Sequence, residues 1–218
     1  MPSAPRPELQ DKALYRSFTV ADMLAFGRHT NRVWDQRRAL GWLERFTVPL
    51  DRRCDRLSGG RQAQVALAVA LGACPSLLLL DEPLANLDPV ARRAVTGELL
   101  AEVAETGMTV MLSTHVVAEL DCVSDHLLLL SHGRTLLDSN VDDLLAHHVR
   151  VTGPRADRPP VEGQVVHATH TARQSTFIVR ALLGPATAMD APGWSGHPLA
   201  TEDIVLAHLR TSIAETGQ

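Results

Sequence analysis

The residues best suited to chemistry fall in two short runs. Leu57-Ser58-Gly59-Gly60-Arg61-Gln62 is followed, 23 residues after Ser58, by Asp81-Glu82-Pro83. A Ser-Gly-Gly turn feeding a helix presents backbone N–H groups, a hydroxyl and the positive end of the helix, which suits a phosphate. The acidic pair closes a run of four leucines, Leu77 to Leu80. Carboxylates at the mouth of a buried strand suit Mg²⁺ and the activation of a water. Together the two runs predict machinery for a nucleoside triphosphate. The usual phosphate-cradling loop, G-x-x-x-x-G-K-[ST], occurs nowhere in the 218 residues, and the only lysine, Lys12, follows an aspartate.

These residues must be held by the elements around them. Ser58 lies at the start of a helix predicted over Arg61 to Ala73. Leu77 to Leu80 is apolar at every position, as expected for a central parallel strand covered on both faces. Asp88 caps the next helix with Pro89 in its first turn; Val95, Leu99 and Val103 line one side and Gly107 ends it. Thr109 to Ser113 is a second buried strand and Leu127 to Leu130 a third. Strand, helix, strand, helix, strand predicts an α/β parallel sheet. Ser113-Thr114-His115 then opens on the same carboxyl edge as Asp81, where ligands bind, and Leu84 to Asp88 hugs that edge.

Upstream, Thr19 is suited to capping a helix through Leu24 and Phe26 that ends near Gly27, and Trp34 to Phe46 carries the spacing of a second amphipathic helix. Downstream, His132-Gly133-Arg134 reads as a turn into a hairpin strand, Thr135 to Leu137. A third region starts near Val149, with a linker marked by Gly153, Pro154, Pro159, Pro160 and Gly163. Two short strands, Val165 to His167 and Thr176 to Val179, a Pro/Gly-rich loop, Gly184 to Pro198, and a closing helix, Glu202 to Leu209, complete it.

Composition narrows the class. A formal charge of −4 and an aromatic content of 4% exclude an obvious nucleic-acid surface. The three cysteines (Cys54, Cys74 and Cys122) form no CxxC pair and predict idle thiols in a reducing compartment. The longest apolar stretch, Val65 to Cys74, predicts a core helix and not a membrane span. Residues 1–9 are polar and proline-rich and are expected to be disordered.

On these motifs the chain resembles the ATP-binding subunit of an ABC transporter. Leu57 to Gln62 matches the signature L-S-G-G-x-Q; Leu77 to Glu82 matches the Walker B strand and its following glutamate; Leu84 to Asp88 is similar to the D-loop and His115 to the switch histidine. Gln10 sits where the family keeps its Q-loop glutamine. The resemblance implies an α/β fold, an incomplete P-loop NTPase core of ABC type over residues 10–148. Its helical subdomain would span residues 14–73 and the segment from Walker B to the switch histidine 76–115, with a small α+β extension at 149–218. The tail, ending Thr201 to Leu206, is similar to the extension of exporter-type subunits.

The roles that follow from the resemblance are specific. ATP and Mg²⁺ are the implied cofactors, with Asp81 and Gln10 holding the metal, Glu82 as general base, and His115 and Gln10 at the γ-phosphate. Ser58, Gly59, Gly60 and Gln62 would meet ATP held by a second ATP-binding subunit, and Asp88 would bridge the two. Positioning and charge stabilisation dominate phosphoryl transfer, so an incomplete site means little rate. The other implied partner is a multi-span permease, with no nucleic acid, and the place is the cytoplasmic inner face of the cell membrane.

The family's adenine-stacking aromatic and phosphate loop would precede Gln10, so the expectation is an N-terminally truncated cassette. Two alternatives stay open: a non-hydrolytic partner that donates the signature to a full-length subunit, or a non-functional remnant. DNA-repair ATPases with similar motifs place a long coiled coil where only 47 residues separate Gln10 from Ser58. Neither His147-His148 nor His167-x-x-His170 completes a metal set.

Overall fold

A computed structural model describes residues 14–85, 87–117, 123–182 and 191–216. Gln10, Lys12, Cys122 and the expected disorder of residues 1–9 lie outside the described residues. By packing, the chain divides into two compact units at 115/116, whereas the sequence reading sets its boundary at 148/149.

The first unit begins with three helices. Helix α1 (Val20–Thr30) starts at a capping box in which the Thr19 hydroxyl accepts the Asp22 N–H at 3.1 Å and the Asp22 carboxylate accepts the Thr19 N–H at 2.9 Å. Helix α2 (Gln36–Arg45) is capped by Asp35, whose carboxylate accepts the Arg37 and Arg38 N–H groups. A 3₁₀ turn (Cys54–Arg56) leads into α3 (Gly59–Gly72). Trp42 is fully buried between these helices, and its indole N–H donates to the buried Gln64 side chain at 2.8 Å, which removes the cost of enclosing both groups. Burial pushes the Cys54 thiol up, and Cys54 and Cys74 are both free thiols.

Strand β1 (Leu77–Asp81), helix α4 (Pro89–Thr106) and strand β2 (Thr109–Ser113) complete this unit. The strands pair in parallel, with Leu77 opposite Thr109 and Asp81 opposite Ser113. Asp88, Pro89 and a left-handed Gly107 bound α4 as its sequence predicts. Val95 and Leu99 are buried in one core with Leu78, Val65 and Leu71, and Val103 packs against it. Arg38 and Arg45 of α2 meet the buried Glu102 of α4 at 3.1 and 3.5 Å.

The expectation that β1 is covered on both faces is corrected. Leu78 is buried, but Leu77, Leu79 and Met111 are 52%, 66% and 56% exposed. Among the described residues the sheet has two strands. Its inward side chains join the helical core, and the alternate ones face outward.

In the second unit β3 (His126–Ser131) and β4 (Arg134–Asn140) form an antiparallel hairpin. The hairpin turn read at His132-Gly133-Arg134 is present, whereas the expectation that Leu127 to Leu130 joins the parallel sheet as a third strand is corrected among the described residues. His132 and Gly133 both have positive φ, 49° and 73°, and a two-residue turn of that kind returns the chain antiparallel. Helix α5 (Val141–His147) runs into β5 (His148–Pro154), which is joined by β6 (Gly163–His170), β7 (Gln174–Ala181) and β8 (Ser195–Pro198) in the order β6-β7-β5-β8, antiparallel throughout. Two sequence expectations shift here. The linker marked from Gly153 to Gly163 is shorter, because Gly153 and Pro154 end β5, whose Val149 and Val151 are buried at the centre of the sheet, and Gly163 opens β6. The segment read as loop through Pro198 contains β8. Helix α6 (Thr201–Thr216) closes the unit, with Ile204 and Val205 buried.

Trp34 fixes how α1 and α3 meet. A Cβ on Gly27 would lie 2.6 Å from its ring and one on Gly72 2.8 Å, so the indole occupies space that only glycine leaves. Gly27→Ala and Gly72→Ala are each expected to destabilise the protein by about 1–3 kcal/mol through overpacking. Urea unfolding followed by tryptophan fluorescence measures this, and an unchanged midpoint in both would refute it.

Candidate functional site

The carboxyl ends of β1 and β2 build the centre of the site. Parallel register puts Asp81 opposite Ser113, and the Ser113 hydroxyl donates to Asp81 Oδ1. The next residue, Glu82, leaves the strand with φ at 45°, in the left-handed region that a side chain enters only when its surroundings hold it there. That hold is visible: the Glu82 N–H donates to the Ser113 carbonyl at 3.1 Å and to the Ser113 hydroxyl oxygen at 3.2 Å. The turned backbone brings the Glu82 carboxylate to His115, whose Nδ1 lies 2.6 Å from Oε1. The His115 side chain is 74% exposed and that of Glu82 35%, so both remain within reach of a ligand from solvent.

The remaining candidates are held by local structure. Ser58 is the N-cap of α3, accepting the Arg61 N–H at 3.4 Å, and Gly59 and Gly60 form the first turn. Gln62 donates its side-chain amide to the carbonyls of Cys54 and Leu57, both at 3.1 Å, and so ties the 3₁₀ turn to the helix it precedes. Asp88 caps α4, its Oδ1 accepting Val90 N–H at 3.0 Å and Ala91 N–H at 2.9 Å. The structure therefore gathers Asp81, Glu82 and His115, and sets Ser58 to Gln62 and Asp88 at two helix starts. Gln10 lies outside the described residues.

Sequence reasoning gave Ser113 no role, yet its hydroxyl meets both acidic residues. The signal available was register: the last residues of two parallel strands, Asp81 and Ser113, face each other. Among the described residues no group of three or more His, Cys, Asp or Glu side chains encloses a metal. The oxygen donors of Asp81 and Ser113 fit an ion such as Mg²⁺, which takes one or two carboxylates and keeps most of its waters.

Comparison with known proteins shows what the chain is similar to. Residues 8–85 match the family model described as ABC transporter. A solved structure titled as the ATP binding subunit of an ABC transporter is similar at 25% identity and a TM-score of 0.56, over 62% of this chain and 58% of that one. The α/β core accordingly has the fold of ABC ATP-binding cassettes.

Among individual relatives, the spermidine/putrescine import ATP-binding protein PotA 1 of Pseudomonas aeruginosa is 40% identical over 220 residues, 94% of this chain and 55% of that protein. The Nod factor export ATP-binding protein I of Sinorhizobium fredii is 32% identical over 178 residues, 72% of this chain and 52% of that protein. The chain is thus similar to ATP-binding subunits of both import and export type, and it spans about half the length of the curated relatives it matches. No helix among the described residues is long and apolar enough to cross a membrane.

The capping role of Asp88 separates cleanly from any other. Asp88→Ala is expected to cost about 1 kcal/mol of stability, while Asp88→Asn, which can still accept the same N–H groups, keeps most of it. Equal losses in the two variants, read from urea midpoints, would refute the capping account.

Proposed function

We propose that this chain acts as an ATP-binding subunit of an ABC transporter, coupling ATP hydrolysis to transport through a multi-span permease at the inner face of the cell membrane. The observation that carries the proposal is the Asp81–Glu82–Ser113–His115 cluster, in which a carboxylate and an imidazole touch at a shared strand edge. In this reading Asp81, with Gln10, holds Mg²⁺, and the ion supplies charge neutralisation to the phosphates. Glu82 accepts a proton from the attacking water, and His115 orients the Glu82 carboxylate and meets the γ-phosphate. Ser58, Gly59, Gly60 and Gln62 serve ATP on a second ATP-binding subunit: the α3 start supplies a positive helix end, and Gln62 holds that start in place. Asp88 lies at the subunit junction.

A surface feature supports the permease as partner. Tyr15, Phe18 and Phe26 form an aromatic cluster with centroids 5.0 to 6.5 Å apart, and Tyr15 is 51% exposed. Aromatic rings of that exposure suit an interface. The direction is proposed as export, on the likeness of the C-terminal region to exporter extensions. Uptake against release in sided vesicles distinguishes it from import.

The catalytic assignment is tested in a cassette in which residues 1–218 are joined to a G-x-x-x-x-G-K-[ST] phosphate loop. Glu82→Gln is expected to keep ATP binding and to lower hydrolysis by about 10²–10⁴-fold, the range of a positioned general base. Unchanged turnover would sink the role of Glu82. A second reading is that the chain lends its signature to a subunit that carries such a loop, and the Ser58-capped start of α3 supports it. It predicts that the unaltered chain raises ATP turnover by such a subunit and that Ser58→Ala abolishes the gain.

A further inference from the structure

The second unit holds two imidazoles that nothing above uses. His148, at the start of β5, is 1% exposed. Its ring meets that of His208 in α6 edge to face, with centroids 5.7 Å apart and planes at 66°. We propose that the His148–His208 pair is an acid-sensitive latch: neutral, it seats α6 in the C-terminal unit, and on taking up a proton it releases the helix.

The hydrogen positions follow from geometry. His148 Nδ1 lies 2.8 Å from the Leu144 carbonyl oxygen, which only accepts, so Nδ1 carries the hydrogen. The Nε2 of the neutral ring is then a bare lone pair. Nε2 of His148 and Nε2 of His208 are both shut off from solvent and have no hydrogen-bond partner among the described residues. Protonation turns the His148 atom into a charged donor with no acceptor among the described residues, which is far more costly than the unpaired acceptor.

The charged surroundings add to that cost. Arg180 of β7 acts on both rings, and His147 at the end of α5 acts on His148. Among carboxylates on the adjoining elements, Asp203 of α6 is held by Arg150 of β5 at 2.7 Å. Glu202 of α6 and Asp142 and Asp143 of α5 sit in the first turns of their helices. None of them pairs with either ring among the described residues. His167 of β6 faces Arg210 of α6, so it also gains no counter-charge. A further tether of α6, the Thr211 hydroxyl donating to the Val166 carbonyl at 2.6 Å, does not titrate in this range.

Burial first, then His148 and Arg180, pushes His208 down to about 4, and burial likewise lowers His148. Both therefore lie below the ordinary value of 6.5. Their contribution is complete above pH 6.5 and is lost as pH falls towards 4. A group that takes its proton only when the helix opens raises the opening equilibrium by about tenfold per pH unit across that window. With His208 only partly enclosed, an increase on the order of tenfold from pH 7.5 to 5 is expected from it.

Hydrogen exchange read by mass spectrometry on the full chain tests the latch, with exchange times corrected for the intrinsic rate at each pH. Peptides covering residues 201–216 should lose about tenfold or more protection from pH 7.5 to 5, and His208→Phe, which keeps a ring that cannot be protonated, should remove most of that loss. Unchanged wild-type protection, or the same loss in the variant, overturns the proposal. A ¹³C titration of the two imidazoles in the wild-type protein decides independently of how the variant folds. Midpoints below 5.5 support the latch and midpoints at or above 5.5 overturn it.

Discussion

The hydroxyl of Ser113 is the point on which the site turns. It donates to the Asp81 carboxylate and also lies within hydrogen-bond reach of the Glu82 N–H, so one oxygen joins the ends of two strands to the two acidic residues. Only a parallel pair in the observed register sets these groups opposite one another. A slip of one residue along β2 would exchange its faces and carry the hydroxyl away. The left-handed backbone at Glu82 depends on the same anchor, because the Ser113 carbonyl accepts its N–H. His115, two residues beyond, is then close enough to touch the carboxylate.

Around this centre the polar residues serve the scaffold as well as the site. Gln62 spends both amide hydrogens on the turn before α3, and Asp88 gives its carboxylate to the first turn of α4. A helix start that is well capped is also one whose position is well defined, and a phosphate-facing turn needs that definition. The second unit is organised differently, by a four-stranded antiparallel sheet and one closing helix.

What could be read from the residues divides along physical lines. The starts and stops of helices were legible, because Thr19, Asp88, Pro89 and Gly107 act within a few residues of themselves. The association of Asp81, Glu82 and His115 was legible too, since β-α-β order alone sends both strand ends to one edge. Strand partnership was not. Leu127 to Leu130 has the composition of a parallel core strand; the turn at His132 and Gly133 announced its hairpin with β4, but not that the pair stands apart from the β1–β2 sheet among the described residues. β5 was hidden by the glycine and proline at its end, and β8, four residues long, carries too little pattern to be seen. The role of Ser113 could not be seen either, because a serine at a strand end has no meaning until its opposite residue is known.

The outward stripe of Leu77, Leu79 and Met111 has a consequence for how the molecule behaves in bulk. Colloidal attraction between such patches is short-ranged and non-electrostatic, so added salt does not screen it as it screens charge. The chain's modest net charge of −4 supplies the opposing repulsion, and salt does weaken that. Raising ionic strength therefore brings copies of this protein closer together, and a non-ionic amphiphile that coats the stripe keeps them apart.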